Sequence, residues 1–361
     1  MNITDVRCDK LAIPGRVFQR RKGLPDQPTE KDAFLFRIVA ENGLEGHCLW
    51  DRNGSVMQSI TERHIRPLVS GRDPLEHSRI WYTLWEMKRV EYFPLYVMGV
   101  VDIALWDLVG KILELPVYRL LGGYRDTIPV YASTHSYQSV DEYRHIVDHS
   151  LEKGYRAIKL HGPGVPEEDL EICRKVREWV GEGFPLMFDA TGSYTYEQAL
   201  PVGRELEELD YLWYEEPLRD SHAHLLRQLA DKLDIPLLVA ESSDESLFDT
   251  ANQILGRTGT MIHGDPFIKA GITGVMKTAS LCEAFGMTYQ IHHSEAYGLH
   301  ASCAMKNTLY YEQIVPEDTF HFDFQRDRLS VDENGHMAPS DRPGFGLDLD
   351  LKRMERHIPS D

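Results

Sequence analysis

The sequence predicts an α/β protein built on a TIM-like β/α barrel, with an α+β region drawn from the N-terminal part and the C-terminal tail. Three observations predict it. From about position 126, short apolar runs recur every 24 to 30 residues, and most are followed by a stretch of helical periodicity. Three of these runs, Pro185-Leu-Met-Phe-Asp189, Tyr211-Leu-Trp-Tyr-Glu215 and Pro236-Leu-Leu-Val-Ala-Glu241, end on an acid, and the acids stand 26 and again 26 residues apart. At 361 residues the chain exceeds the roughly 250 that a β/α barrel takes, leaving about 100 for a second region.

Residues 2 to 13 and 33 to 50 read as strands, the second carrying the tight-turn dipeptide Asn42-Gly43 of a hairpin. Between them, Arg16 to Pro28 is too polar and too rich in Pro and Gly for a strand and reads as a loop. Helices are expected near 55 to 70, 74 to 89 and 94 to 114, the last from the apolar spacing of Val97 to Leu108. Leu121-Gly122-Gly123 closes this region, so the expected division is 1–125, an α+β domain, and 126–330, the barrel.

Eight barrel strands are expected to begin near Ile128, Ala157, Leu186, Leu212, Leu237, Met261, Thr288 and Leu309. The helices between them are expected at 139–153, 166–180, 195–208, 221–233, 246–256 and 272–285. The tail, 331–361, has turn chemistry at Asn334-Gly335 and Pro343-Gly-Phe-Gly346, and is expected to fold back on the N-terminal domain.

The formal charge of −18 argues against nucleic acid or an anionic membrane as the main partner. Cys8, Cys48, Cys173, Cys282 and Cys303 are odd in number and scattered, as reduced thiols of the cytoplasm would be. No run approaches a membrane span, and no phosphate-binding glycine loop of the GxGxxG or GxxxxGK type occurs.

If the βα units close into a barrel, Asp189, Glu215 and Glu241 meet at one mouth. Converging carboxylates need a cation among them, and their hard oxygens suit Mg²⁺. Strand period two puts Lys159 and His161 of Ala157-Ile-Lys-Leu-His161 on the same inner face. There Lys159 is expected to be either a base whose pKa is drawn down by burial and like charge, or a structural partner of one acid. Asp265 and His292 or His293, at the ends of successive strands, suggest a carboxylate that fixes an imidazole for acid/base work. Glu312, if kept protonated by burial, would donate to a developing oxyanion. His222-Ala-His224 and His292-His293-Ser-Glu295 lack the context of zinc sites. In Glu215-Glu216 neighbouring side chains face opposite ways, unlike a glycosidase pair.

With these residues in view, the chain resembles the mandelate racemase subgroup of the enolase superfamily, and most closely its acid-sugar dehydratases. The likeness rests on Ala104-Leu-Trp-Asp-Leu-Val-Gly-Lys111 to Leu120-Leu-Gly-Gly123, on Trp213-Tyr-Glu-Glu-Pro-Leu218, on Gly271-Ile-Thr-Gly274, and on the 27 residues from Asp265 to His292. It implies a modified barrel of seven or eight units under a capping domain completed by the tail, with loops near 14–32 and 47–58 closing over the mouth. It also implies Mg²⁺ on Asp189, Glu215 and Glu241, Lys159 and His161 on one face of the substrate, the His292–Asp265 pair on the other, and Glu312 at the carboxylate edge. The family's symmetric assemblies imply a homo-oligomer. Departures from its usual pattern are Lys-x-His at 159–161, Thr191, and Ser242-Ser243.

The expected reaction is removal of the proton α to a sugar acid's carboxylate and loss of the β-hydroxyl, giving a 2-keto-3-deoxy acid. Racemisation or epimerisation by the same chemistry, a metal-dependent isomerase or hydrolase on an unrelated barrel, and a non-catalytic metal-binding barrel are the alternatives. Substrate choice is expected from the cap: Trp50 closing the pocket, and a basic cluster of Arg16, Arg20, Arg21 and Lys22, with Arg20 expected to touch the substrate.

Overall fold

The computed structural model describes residues 1–361 except 16–19, 26–27, 244, 317–323, 327–328 and 360–361. Strands β1 (Ile3–Pro14), β2 (Glu30–Ala40) and β3 (Glu45–Trp50) form an antiparallel sheet in that order. The turn between β2 and β3 is the one expected at Asn42-Gly43, with Gly43 at φ 81°, a region that glycine enters without a Cβ clash. Helices His77–Glu91 and Leu95–Ile112 follow, and the second is buried on nearly every side between β3 and the barrel helix Gly271–Ala284. It approaches so closely that a Cβ at Gly99 would lie 2.2 Å from the Phe267 carbonyl oxygen.

The barrel is built of β4 (Ile128–Ser133), β5 (Ile158–His161), β6 (Leu186–Asp189), β7 (Tyr214–Glu215), β8 (Leu237–Val239), β9 (Met261–Gly264), β10 (Thr288–Ile291) and β11 (Tyr311–Ile314). Each strand pairs in parallel with the next, and β11 pairs with β4 to close the ring. Helices separate the strands where expected, and two begin with reciprocal caps, Ser139 with Glu142 and Thr195 with Gln198. The helix Glu295–Ala304 was not expected. Eight of its residues, Ala296 to Cys303, are buried, so it carries no amphipathic stripe by which a sequence betrays a helix.

The tail folds back on the N-terminal domain, where the Val117 N–H donates to the Gly344 carbonyl oxygen at 2.9 Å and the Phe345 N–H to Asp107 Oδ1 at 2.9 Å, and it adds a contact with the barrel. Its strand β12 (His336–Met337) pairs antiparallel with the start of β4, on the barrel. The last helix, Leu351–Glu355, and its flanks reach the N-terminal sheet, where Met354 packs with Leu11, Ala33, Leu35 and Leu49 and the Ala12 N–H donates to the His357 carbonyl oxygen at 2.9 Å.

Strand alternation orders the barrel interior. Ala157, Met187, Trp213, Met261 and half-buried Tyr310 fill the floor with Tyr131 and Leu238. Two residues further along the same strands come Lys159, Asp189, Glu215, His263 and Glu312. The intervening Ile158, Leu160, Phe188, Tyr214 and Ile262 join the large apolar core outside the ring. A dry plug thus lies under a wholly polar layer at the C-terminal mouth.

Candidate active site

Lys159 sits fully buried at the centre of this layer, with Nζ 2.7 Å from Glu215 Oε1, 2.8 Å from Glu312 Oε1 and 3.7 Å from Asp189 Oδ2. Burial opposes its charge, but Glu215 and Glu312 override burial and hold its pKa well above the ordinary lysine value. The lowering expected from burial is outweighed here by Glu215 and Glu312, and these contacts match the other expectation, a lysine paired with the acids. The expectation of a protonated Glu312 is corrected. Burial raises a carboxyl, yet Lys159, His292 and His263 hold Glu312 well below the usual range, so it is ionised. Its Oε2 accepts the His293 backbone N–H at 2.9 Å.

His161 Nε2 lies 2.9 Å from Asp189 Oδ2, and against the pull of burial Asp189 raises the imidazole's pKa. Asp189 is fixed on its other oxygen by the Thr191 backbone N–H at 2.6 Å. Glu215 Oε2 accepts from Trp213 Nε1 at 3.1 Å. Glu241 lies just beyond β8, and despite burial His292 and His263 lower its pKa to about 2.

His292 Nδ1 lies 2.7 Å from Asp265 Oδ2, as the pairing at the ends of β9 and β10 required. Burial lowers an imidazole's pKa, but Glu241 and the Asp265 bond bring His292 up to about 9. Its Nε2, 3.9 Å from Glu241 Oε1, faces the same acids. His293 turns to the barrel wall, its Nδ1 3.0 Å from the Glu312 carbonyl oxygen. Around the ring β5 and β10 are three steps apart one way and five the other, so Lys159 and His292 stand on different flanks.

One residue escaped sequence reasoning. His263, with no exposed surface, places Nδ1 3.2 Å from both Glu215 Oε1 and Glu241 Oε2. Burial opposes its charge, and Glu215 and Glu241 hold its pKa well above the ordinary value. The signal was available: His263 is two residues before Asp265 and shares its strand parity.

Backbone strain gathers at the same rim. Thr191 (φ 50°), Glu216 (φ 38°) and Ala240 (φ 79°) all occupy the left-handed region, each within two residues of Asp189, Glu215 or Glu241. Such positions cost about 1–3 kcal/mol each and persist where the surroundings over-determine them.

Beside this layer opens a cavity of about 270 Å³, walled by Leu49, Trp50, Asp51 and Arg52 from the N-terminal region and by Glu241, Asp265, Phe267, His292 and Glu295 from the barrel. Trp50 stacks on Phe267 at 4.6 Å with planes 7° apart, joining the two parts of the molecule. Arg20 does not line this cavity. It is exposed and donates to the Pro25 carbonyl oxygen at 3.2 Å, while Lys22 pairs with Glu168 at 2.6 Å. Arg16 lies outside the described residues.

The donor set fits a divalent cation. One carboxylate oxygen each from Glu215 and Glu241 and one ring nitrogen of His263 lie within 4.8 Å of one another, with Asp189 outside that group, and burial together with Glu241 and Asp189 drives the Glu216 carboxyl well above its ordinary range. Fold and site define a class: a barrel enzyme with a carboxylate-rich cation site flanked by lysine and histidine.

Comparison with known proteins narrows the class. Residues 142–353 match the enolase C-terminal domain-like model, and 28–122 match the N-terminal domain of mandelate racemase / muconate lactonizing enzyme. The chain belongs to this family of the enolase superfamily. It is 27% identical to an arabinonate dehydratase of Saccharolobus solfataricus, over 96% of each chain. It superposes on D-glucarate dehydratase from Agrobacterium tumefaciens, a complex with magnesium, with TM-score 0.92 and 30% identity over 99% of each chain. A racemase from Streptomyces coelicolor with bound magnesium gives TM-score 0.90 and 26% identity, over 99% of this chain and 100% of the racemase. Among the described residues no helix is long and apolar enough to cross a membrane.

Proposed function

We propose that the chain is a Mg²⁺-dependent dehydratase of a sugar acid, an aldonate or aldarate, converting it to the 2-keto-3-deoxy acid. The observation that carries this reading is the pairing of a lysine among carboxylates on one flank with an imidazole–carboxylate dyad on the other. The names of the arabinonate and glucarate relatives support it.

Asp189, Glu215 and Glu241 would hold the ion. When bound, it supplies positive charge to the substrate carboxylate, which acidifies the adjoining C–H. Lys159 or His161 takes that proton, Lys159 only once the hold of Glu215 and Glu312 on its own proton is relaxed. His292, a cation at neutrality with a pKa of about 9, protonates the β-hydroxyl, which departs as water with the C–O electron pair. The electrons left by the α-proton form the C2–C3 double bond, and the enol then takes a proton at C3 as it becomes the ketone. Trp50 and Arg52 close the far end over the sugar chain.

A screen of aldonic and aldaric acids with Mg²⁺, read as semicarbazones of 2-keto acids, tests the proposal. Turnover of at least one, abolished by a chelator, is expected. No product from any acid, with no solvent deuterium entering C2, overturns it. Epimerisation is the second reading, favoured by proton-handling groups on both flanks; it predicts deuterium at C2 without a keto acid.

A further inference from the structure

The reading above leaves His263 without a role. Among the described residues its two ring nitrogens have no hydrogen-bond partner, and the 3.2 Å approaches of Nδ1 to Glu215 and Glu241 lack hydrogen-bond geometry. A buried imidazole held by carboxylate charge but making no hydrogen bond is costly, by roughly 1–3 kcal/mol on mutational scales. Two adjacent donors of a six-coordinate ion, each about 2.1 Å from it, stand about 3 Å apart and off each other's hydrogen-bond axis. The contacts of His263 have that character, and one oxygen each from Glu215 and Glu241 and one nitrogen of His263 lie within 4.8 Å of one another.

We infer that His263 is a nitrogen donor to the metal, making the centre a mixed carboxylate–imidazole site. The inference rests on the metal-dependent reading and goes beyond it. Imidazole binds Mg²⁺ poorly and suits the later divalent ions, so His263 sets a preference for Mn²⁺ and Co²⁺ over Mg²⁺. Its place on β9, two residues before Asp265, would let it serve as a donor while His292 is left to the substrate.

The test is electron spin-echo spectroscopy of the Mn²⁺-loaded protein, with calorimetric affinities for Mg²⁺, Mn²⁺ and Co²⁺. A directly bound ¹⁴N is expected in the native chain and in H292N, and is expected to vanish in H263N. The same H263N change is expected to weaken Co²⁺ by about tenfold or more and Mg²⁺ by less, because removal of a residue that only braces ligands costs 10–100-fold for every ion alike. No bound nitrogen in the native chain, or equal losses for Mg²⁺ and Co²⁺ in H263N, overturns the inference and makes His263 a brace for the two glutamates. H263Q, close in length to histidine, serves if H263N does not fold. None of these readouts uses a sugar acid, so failure of the dehydratase proposal leaves them unchanged.

Discussion

His292 Nδ1 and Asp265 Oδ2, 27 residues apart in sequence, lie 2.7 Å apart at the ends of adjacent strands. The contact makes Asp265 the residue that aims His292 Nε2 toward the acids, and after Glu241 it is the next cause raising the pKa of the ring.

Asp265→Asn removes that charge and keeps the shape. Burial already favours the neutral ring, and with one of the opposing anions gone the His292 pKa falls from about 9. With His292 as the proposed acid, activity exists below its pKa and is lost as pH rises through it. The basic limb of the kcat profile moves to lower pH, and kcat drops by about 10²–10⁴-fold. A pH–rate profile for D265N with an unmoved limb contradicts the role of the pair.

Trp50 forms part of the cavity wall and stacks on Phe267. Trp50→Ala removes an aromatic face from the sugar chain without touching the proton-handling groups. KM rises by about tenfold, a loss of ~1.4 kcal/mol in binding, while kcat changes by only a few-fold. Trp50→Phe restores most of the loss. Steady-state kinetics of the two variants check this, and an equal fall in kcat would place Trp50 in the chemistry.

Asp102, buried in the helix that joins the cap to the barrel, accepts the Thr273 N–H at 2.9 Å, yet burial raises its pKa to about 7. The unfolded chain loses this proton near pH 4 and the folded chain near pH 7. Between those values the folded state holds the extra proton, so this group's contribution to stability falls as pH rises from about 4 to about 7. Asp102→Asn keeps the acceptor and removes the buried charge. Its Tm exceeds that of the native chain at pH 8, and the gain shrinks toward pH 4; thermal melts across that range measure it.

Much of the site was legible because barrel strands impose a strict period. Asp189, Glu215 and Glu241 announce themselves by ending apolar runs at equal spacing, and Lys159 and His161 by sharing parity. His263 stood in the same register, and its parity with Asp265 two residues on was the mark it carried. The helix Glu295–Ala304 was hidden: buried on all sides, it shows no periodic contrast.

The sequence by itself determined the eight strands, six of the helices between them and the strand faces, since these follow from local apolar periodicity. Only the tertiary structure decided the charge states. A contact across 153 residues of chain pushes the Lys159 pKa up and that of Glu312 down, and His263 lies between two glutamates from other strands. Coulomb interactions act through space and grow as water is excluded, so a buried group's protonation belongs to the neighbours that folding brings to it.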